Sequence, residues 1–338
     1  MKFYVGLDIS VETTSVCIID DAGNVVREGT VESSPKPLAK FLAKEKRRCA
    51  AMGLEAGPIS QWLYRELLQR KFPVICIDSR HSNAVLKAQL NKTDRNDARG
   101  IAQMMRFGLF KPVHVKPIEA QLVKTLLTGR RFLQAKLIAT EQCIRAFLHS
   151  FGLKIGHIVR KRYREHVQKL IEKYPDLREI IQPLLSARQT LEEEFTALHK
   201  QVLAAAHSDE VCHLLMTAPG VGPLVALVFR SAIDEPARFK RSRSVGAHFG
   251  LTPRTYQSGV VDNRGSISLF GDSYLRHTLR SASVVILRPN SKSSPLKVWG
   301  TQIAHRRGKK IARIAVARRL AVILHRIWLD RTPYRWET

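Results

Sequence analysis

The chain has 338 residues, 44% of them hydrophobic, and carries 56 Lys and Arg against 29 Asp and Glu, a formal net charge of +27 at neutral pH. That length buries one large core or two ordinary ones, and so apolar a composition excludes an intrinsically disordered chain. Cys17, Cys49, Cys76, Cys143 and Cys212 are scattered without a C-x-x-C pair, which argues against a zinc site and a disulfide scaffold. No charge-free run of about eighteen apolar residues is available to span a membrane, and Met1-Lys2 leads into a strand rather than an apolar export signal. A cytoplasmic chain with no membrane partner is therefore expected.

Up to about residue 115, short apolar runs alternate with amphipathic ones. The pattern predicts strands near 2–9, 13–20, 24–32, 50–55 and 73–78, and helices near 36–46, 59–70, 82–90 and 94–107. A three-strand meander followed by strand–helix units implies a mixed sheet with helices on its faces, an α/β domain. Pro112 to Pro117 reads as a linker. Helix is then predicted from Ile118 to about Ser150 and from Pro175 to His207, where Leu177, Ile180, Ile181, Leu184, Leu185, Leu191, Phe195, Leu198 and Leu203 recur mostly at spacings of three and four. Such a pair suits either an antiparallel hairpin that spaces two domains or a dimerising coiled coil. Thr217 to Leu224 (TAPGVGPL) is a turn between helices whose glycines can present backbone amides to a phosphate, in the manner of a helix-hairpin-helix. Leu251 to Asp272 is a long helix-free stretch rich in Gly, Ser and Arg, a length that is functional or disordered inside a compact region. These divisions give an expected domain plan of 1–117, 118–208 and 209–338.

Asp8 closes the first strand, Glu55 ends a later apolar run, and Asp94 and Asp97 stand three apart at the start of a predicted helix. At that spacing both project from one helix face. Two carboxylates ~4 Å apart repel by roughly 4 kcal/mol at an effective dielectric of ~20, a cost that a cation or a raised pKa removes. Hard oxygen ligands without a matching Cys or His set favour Mg²⁺ or Mn²⁺. Each residue also has a plainer reading: a strand-end Asp often caps a turn, and Thr93 or Asp94 can cap the helix while Asp97 favours its positive end. The combination, in an order that suits one sheet edge, is what points to a metal site.

The charge is uneven. Residues 1–120 carry 19 Lys and Arg against 13 acids, whereas residues 121–338 carry 37 against 16. Basic clusters fall at Arg160, Lys161 and Arg162, at Arg238, Lys240 and Arg241, and at Arg306, Arg307, Lys309 and Lys310. One such run is usually a solvated helix face; three without balancing acids indicate polyanion binding. No broad stripe of Trp, Phe and Leu accompanies them, which disfavours a membrane surface. In the helix-free stretch Ser258-Gly259 lies between Arg254 and Arg264, a hydroxyl flanked by cations that can hold a phosphate, with Ser266 and Ser268 as competitors and turn chemistry as the alternative.

The segments GLDIS (6–10), GLEAGPISQWLYREL (53–67), VICIDSRH (74–81), NKTDRNDARGIAQ (91–103), APGVGPLVA (218–226) and GLTPRTYQSGVVDNRGSISLFGD (250–272) together resemble the DEDD-type insertion-sequence transposases of the "IS one-ten" family, which includes the Piv-type DNA invertases. The likeness spans almost the whole chain, in the family's order. It implies a RuvC-like N-terminal domain of the RNase H fold, a helical connector, and a C-terminal transposase domain with a catalytic serine. Motif for motif, Asp8, Glu55, Asp94 and Asp97 fall on the acidic metal positions and Ser258 on the serine of the Ser-Gly motif. The resemblance also implies excision and insertion of a mobile element, guided by a non-coding bridge RNA that pairs with donor and target DNA, and a dimer or tetramer to exchange two duplexes. Ser266 and Leu269 depart from the family, standing where relatives commonly carry basic residues. A metal-dependent Holliday-junction resolvase, with water as nucleophile, is the alternative enzyme; a sugar kinase or ATPase of actin-like fold lacks its Gly-rich phosphate loops here, and a non-enzymatic RNA-binding protein leaves the acids unexplained.

Overall fold

The computed structural model describes residues 2–45, 48–87, 91–258 and 261–336, apart from the side chains at 255, 258 and 261–264. They form two compact units that divide between Pro117 and Ile118.

The first unit is built on β1 (Lys2–Ile9), β2 (Thr13–Asp20), β3 (Val25–Glu32), α1 (Pro35–Ala43), β4 (Arg48–Glu55), α2 (Ser60–Gln69), β5 (Val74–Ile77), α3 (Ser79–Leu86) and α4 (Asp94–Phe107). The five strands form one mixed sheet in the order β3-β2-β1-β4-β5, with β1 antiparallel to β2 and parallel to β4. Strand periodicity sorts its residues onto two faces. Phe3, Val5 and Leu7 of β1 and Met52 and Leu54 of β4 pack with Leu38 and Leu42 of α1 and Leu63 and Leu67 of α2. The alternate residues, Gly6 and Asp8 on β1 and Gly53 and Glu55 on β4, lie on the opposite face, which α4 covers through Ala98, Ile101, Ala102 and Met105.

Two details differ from expectation. Helix α3 begins at Ser79 rather than near 82, because the Asp78 carboxylate accepts from the amides of Arg80 and His81 and starts the helix three residues early. The expected linker also belongs partly to this unit: Val113 N–H donates to the Cys76 carbonyl at 2.8 Å, and Val113 and Val115 pack on the sheet core.

The second unit contains α5 (Ile118–Ser150), α6 (Tyr163–Leu170), α7 (Pro175–His207), α8 (Glu210–Met216), α9 (Pro223–Ile233), α10 (Arg243–His248), β6 (Pro253–Ser258), β7 (Val261–Ile267), α11 (Ser273–Ile286), α12 (Pro295–Arg307) and α13 (Lys309–Asp330). Helices α5 and α7 pair within the chain and run antiparallel: Leu127 clusters with Val202, Arg130 meets Phe195 and His199, and Ile144 and Leu148 cluster with Ile181 and Leu185. The seam recurs every seven residues at 130, 137 and 144 on α5 and at 181, 188, 195 and 202 on α7. Two of these positions hold arginine, so an apolar pattern passes over them. Ile180, which that pattern includes, is instead 58% exposed. Arg188, only 3% exposed, donates from Nε to Glu141 at 2.9 Å and from Nη1 to Glu192 at 2.7 Å, with its guanidinium over the Tyr163 ring. The base of the pair shares its core with Phe229, Leu275, Leu320 and Leu324 of α9, α11 and α13.

The two glycines of the 217–224 turn diverge in role. Gly220, at φ +70°, is pressed on α11, where a Cβ would stand 2.9 Å from the Ala282 carbonyl oxygen; Gly222 opens to free space at the start of α9. The stretch 251–272 is not a structureless loop, because β6 and β7 pair as an antiparallel hairpin with Ser258 opposite Val261. Its base is tied down by Arg276, whose Nη1 donates to the carbonyls of Phe249 and Gly271 at 3.2 Å each and to that of Phe270. Among the described residues no helix is long and apolar enough to cross a membrane.

Removing one partner of a buried ion pair strands the others. Arg188→Ala is therefore expected to destabilise the second unit by ~2–4 kcal/mol, read as a lower urea midpoint with unchanged slope, while Arg188→Met, which keeps an unbranched stem in the α5–α7 seam, loses less.

Candidate active site

Glycine brings the acidic residues together. Gly6 and Gly53 face each other in the β1–β4 register, and a Cβ on Gly6 would sit 2.0 Å from the Ala98 carbonyl oxygen and 2.5 Å from the Ala102 nitrogen. A Cβ on Gly53 would meet the Met105 sulfur at 2.6 Å. At Gly6 the backbone of α4 lies directly on β1, while at Gly53 the Met105 and Ile101 side chains fill the space a Cβ would take. Ala98 follows Asp97 by one residue and Gly6 precedes Asp8 by two, so this contact carries the first turn of α4 to the ends of β1 and β4. Leu7 pairs with Leu54, which leaves Asp8 and Glu55 side by side one residue further on. Thr93 caps α4 by accepting from the Asn96 amide at 3.2 Å, placing Asp94 and Asp97 in the first turn.

Asp8 feels the other three carboxylates. Asp8, half-buried, titrates at about 6 instead of its ordinary 3.8, first because burial disfavours its charge, then because Asp94, Asp97 and Glu55 repel it, with Lys92 opposing. Glu55 is also raised, chiefly by burial, although the Ser82 hydroxyl donates to it at 3.0 Å and works the other way. An all-oxygen set of mutually repelling charges fits a hard divalent cation. Among the described residues no three His, Cys, Asp or Glu side chains already close on one point at chelating distance, so the four share an edge at the range of charge repulsion. On the far side of α4, Glu28 of β3 takes both Arg95 and Arg99. Its carboxyl is pulled down to about 2, first by the hydrogen bond from Arg99.

The other residues singled out in the sequence are placed less uniformly. Ser258 ends β6, with Gly259 and Val260 outside the described residues, as are the side chains of Ser258 and Arg264. Arg254 donates to the Ser268 carbonyl at 3.1 Å, bracing the hairpin base. Arg160 lies over Phe195 and pairs with Glu192 at 3.7 Å, whereas Lys161 and Arg162 are exposed. Arg238 is half-buried and donates to the last carbonyl of α9, Ile233, at 3.1 Å, so that residue serves the helix end; Lys240 and Arg241 are exposed. Arg306, Arg307, Lys309 and Lys310 are all exposed at the α12–α13 junction. Beside them a cavity of about 360 Å³ is lined by Arg288, His305, Lys309 and Arg313. Arg288 falls outside the basic clusters. The signal for it is a wider one: between Asp272 and Asp330 the chain has no acidic residue at all.

An acid-lined edge on a mixed sheet, joined to a second unit rich in unopposed cations, defines a nucleic-acid-processing α/β protein. The DEDD-type transposase profile of the IS110 family matches residues 5–152, and the profile described as "Transposase IS116/IS110/IS902 family" matches residues 212–296. The chain is 28% identical to the "Transposase for insertion sequence element IS1111A" of Coxiella burnetii, over 98% of this chain and 90% of that one. It is 25% identical to a "Probable family 20 transposase" of Pseudomonas aeruginosa over 98% of both. A further relative, the "Transposase for insertion sequence element IS1328" of Yersinia enterocolitica, is 27% identical over 85% of both. The chain belongs to the IS110 family of transposases, and DNA-processing activity goes with that family.

Two outcomes follow from the geometry. For an acid whose pKa is raised on folding, the contribution to stability is full below 3.8 and is lost as pH rises through about 6. In metal-free buffer Asp8→Asn is thus expected to stabilise the fold by ~1–2 kcal/mol at pH 7, a gain that largely closes at pH 4 in thermal melts. Gly6→Ala forces α4 off the sheet and is expected to cost ~3 kcal/mol, measured by urea unfolding.

Proposed function

We propose that this transposase excises and inserts a mobile DNA element through a covalent 5′-phosphoserine at Ser258, with Asp8, Glu55, Asp94 and Asp97 holding Mg²⁺ or Mn²⁺. The observation that carries the reading is the glycine-seated contact that sets Asp94 and Asp97 against Asp8 and Glu55. In this reading residues 1–117 are a RuvC-like domain of the RNase H fold, with which the strand order agrees; residues 118–208 are the connector and residues 209–338 the transposase domain.

A serine hydroxyl is a weak nucleophile until its proton is drawn away. A divalent cation, when bound by the carboxylates, supplies Lewis-acid polarisation of the scissile phosphate and charge for the leaving oxygen. Ser258 Oγ forms a bond to phosphorus as the P–O3′ bond breaks, the seryl proton leaves, and the 3′-oxygen takes up a proton to become a 3′-hydroxyl. A 3′-hydroxyl from the new partner strand then attacks the same phosphorus and expels Oγ. The ester retains the bond energy, so no ATP is consumed. Arg254 and Arg264, on either side of the serine in the sequence, are the cations this reading assigns to the phosphate.

Choice of donor and target DNA falls to a bridge RNA, whose pairing reads sequence while the protein reads backbone. Support comes from the charge: a chain of net +27, with 13 Lys and Arg and no acid from 273 to 329, favours phosphate contacts. Exchange of two duplexes calls for a dimer or tetramer.

Trapping tests the serine. Wild-type protein incubated with element-end DNA, guide RNA and Mg²⁺ is expected to yield a protein–DNA adduct on denaturing gels, and Ser258→Ala none. Adduct or recombinant product from Ser258→Ala would remove the serine from the mechanism, and cleavage by the wild type without adduct would favour a water nucleophile, as in a junction resolvase.

A further inference from the structure

The first turn of α4 has two faces. At 100° per residue, Asp94 and Asp97 lie about 60° apart, while Arg95 and Arg99 lie about 40° apart on a face turned away from them. The acidic face meets Asp8 and Glu55. On the basic face both arginines bind Glu28 on β3.

That contact is dense. Arg95 Nε donates to Glu28 Oε2 at 2.6 Å, Arg99 Nη2 donates to the same oxygen at 2.8 Å, and Arg99 Nε donates to Oε1. The thiol of Cys17, opposite Glu28 in the β2–β3 register, donates to Oε1 at 3.6 Å. The Glu28 side chain is 11% exposed. Exposed pairs of one Lys or Arg with one acid contribute little, but two guanidiniums converging on one shielded carboxylate hold a definite geometry. The pairs also link residues 67 and 71 positions apart, tying the outer strand of the sheet to the turn that carries Asp94 and Asp97.

We infer that Glu28 is a positioning residue for the acidic centre: by clamping Arg95 and Arg99 it fixes the rotation of α4 about its axis and so the direction in which Asp94 and Asp97 face. This rests on the reading of the four carboxylates as metal ligands.

The test uses the full-length protein and Mn²⁺ binding, followed by titration calorimetry and by the Mn²⁺ electron paramagnetic resonance signal, on wild type, Glu28→Gln and Leu67→Ala. Leu67 is fully buried against the other face of the same sheet and controls for general destabilisation. Partners that orient metal ligands typically cost 10–100-fold in affinity when lost, and Glu28→Gln is expected to weaken Mn²⁺ binding by about that factor. Leu67→Ala, studied below its melting temperature, is expected to stay within about twofold of wild type. Metal-free amide exchange at residues 95–99 is expected to speed up in Glu28→Gln only. Near-wild-type Mn²⁺ affinity in Glu28→Gln, or an equal loss in Leu67→Ala, overturns the inference. If wild type shows no Mn²⁺ site that Asp8→Asn abolishes, the metal reading itself fails, and unchanged exchange at 95–99 then overturns the clamp as well.

Discussion

The close approach of α4 to the sheet is the constraint on which the acidic edge depends. Most helices on a sheet are held off by the side chains between them. Here Gly6 on β1 leaves no such spacer, so the helix backbone itself becomes the contact surface there, and its register partner Gly53 on β4 makes room for Met105 and Ile101. The consequence is directional. Seating Ala98 on Gly6 brings the start of the helix to the ends of the two parallel strands, and so brings Asp94 and Asp97 to Asp8 and Glu55. Burial and crowding of like charge then raise Asp8 and Glu55, so the fold holds an electrostatic cost at one edge.

Charge is divided in the same spirit across the rest of the chain. Arginines that a sequence reading groups together do different work once folded. Arg188 and Arg130 lie in the α5–α7 seam, where carboxylates, aromatic rings and a histidine receive them. Arg238 and Arg276 hold backbone carbonyls at a helix end and at the hairpin base. Only the remainder, including Lys161, Arg162, Lys240, Arg241 and the cluster from Arg306 to Lys310, faces solvent as surface charge. Counting cations therefore overstates the surface available to a phosphate backbone, while their distribution locates it better. The acid-free stretch from 273 to 329 spans three helices, and one cavity within it is lined by Arg288, Lys309 and Arg313 together with His305.

Much of the first unit was legible in the sequence because its strands are short, apolar and bounded by turn residues, and because strand periodicity is rigid. The expected strands correspond closely to β1 through β5, and the acidic residues were visible as polar interruptions of that pattern. Misplacements trace to particular atoms. Asp78 starts α3 early because its carboxylate finds two free amides. The α7 seam was misjudged where apolar spacing stood in for geometry, since Arg188 is buried by its ion pairs and Ile180 is left outside. The 251–272 stretch, rich in Gly, Ser and Arg, hid a hairpin because its pairing comes from register rather than from apolar alternation.

The sequence by itself determined the residue types and their spacing: four carboxylates at strand ends and a helix start, a serine between arginines, cations concentrated in the second half, and motifs in the order of one transposase family. These follow from local chemistry and linear distance, which a chain carries before it folds. Only the tertiary structure decided which groups meet. That Gly6 exists to admit the Ala98 carbonyl, that Glu28 gathers Arg95 and Arg99, and that Arg188 is core rather than surface depend on contacts between residues far apart in the chain. Each is a matter of atoms within a few ångströms, and sequence distance contains no such information.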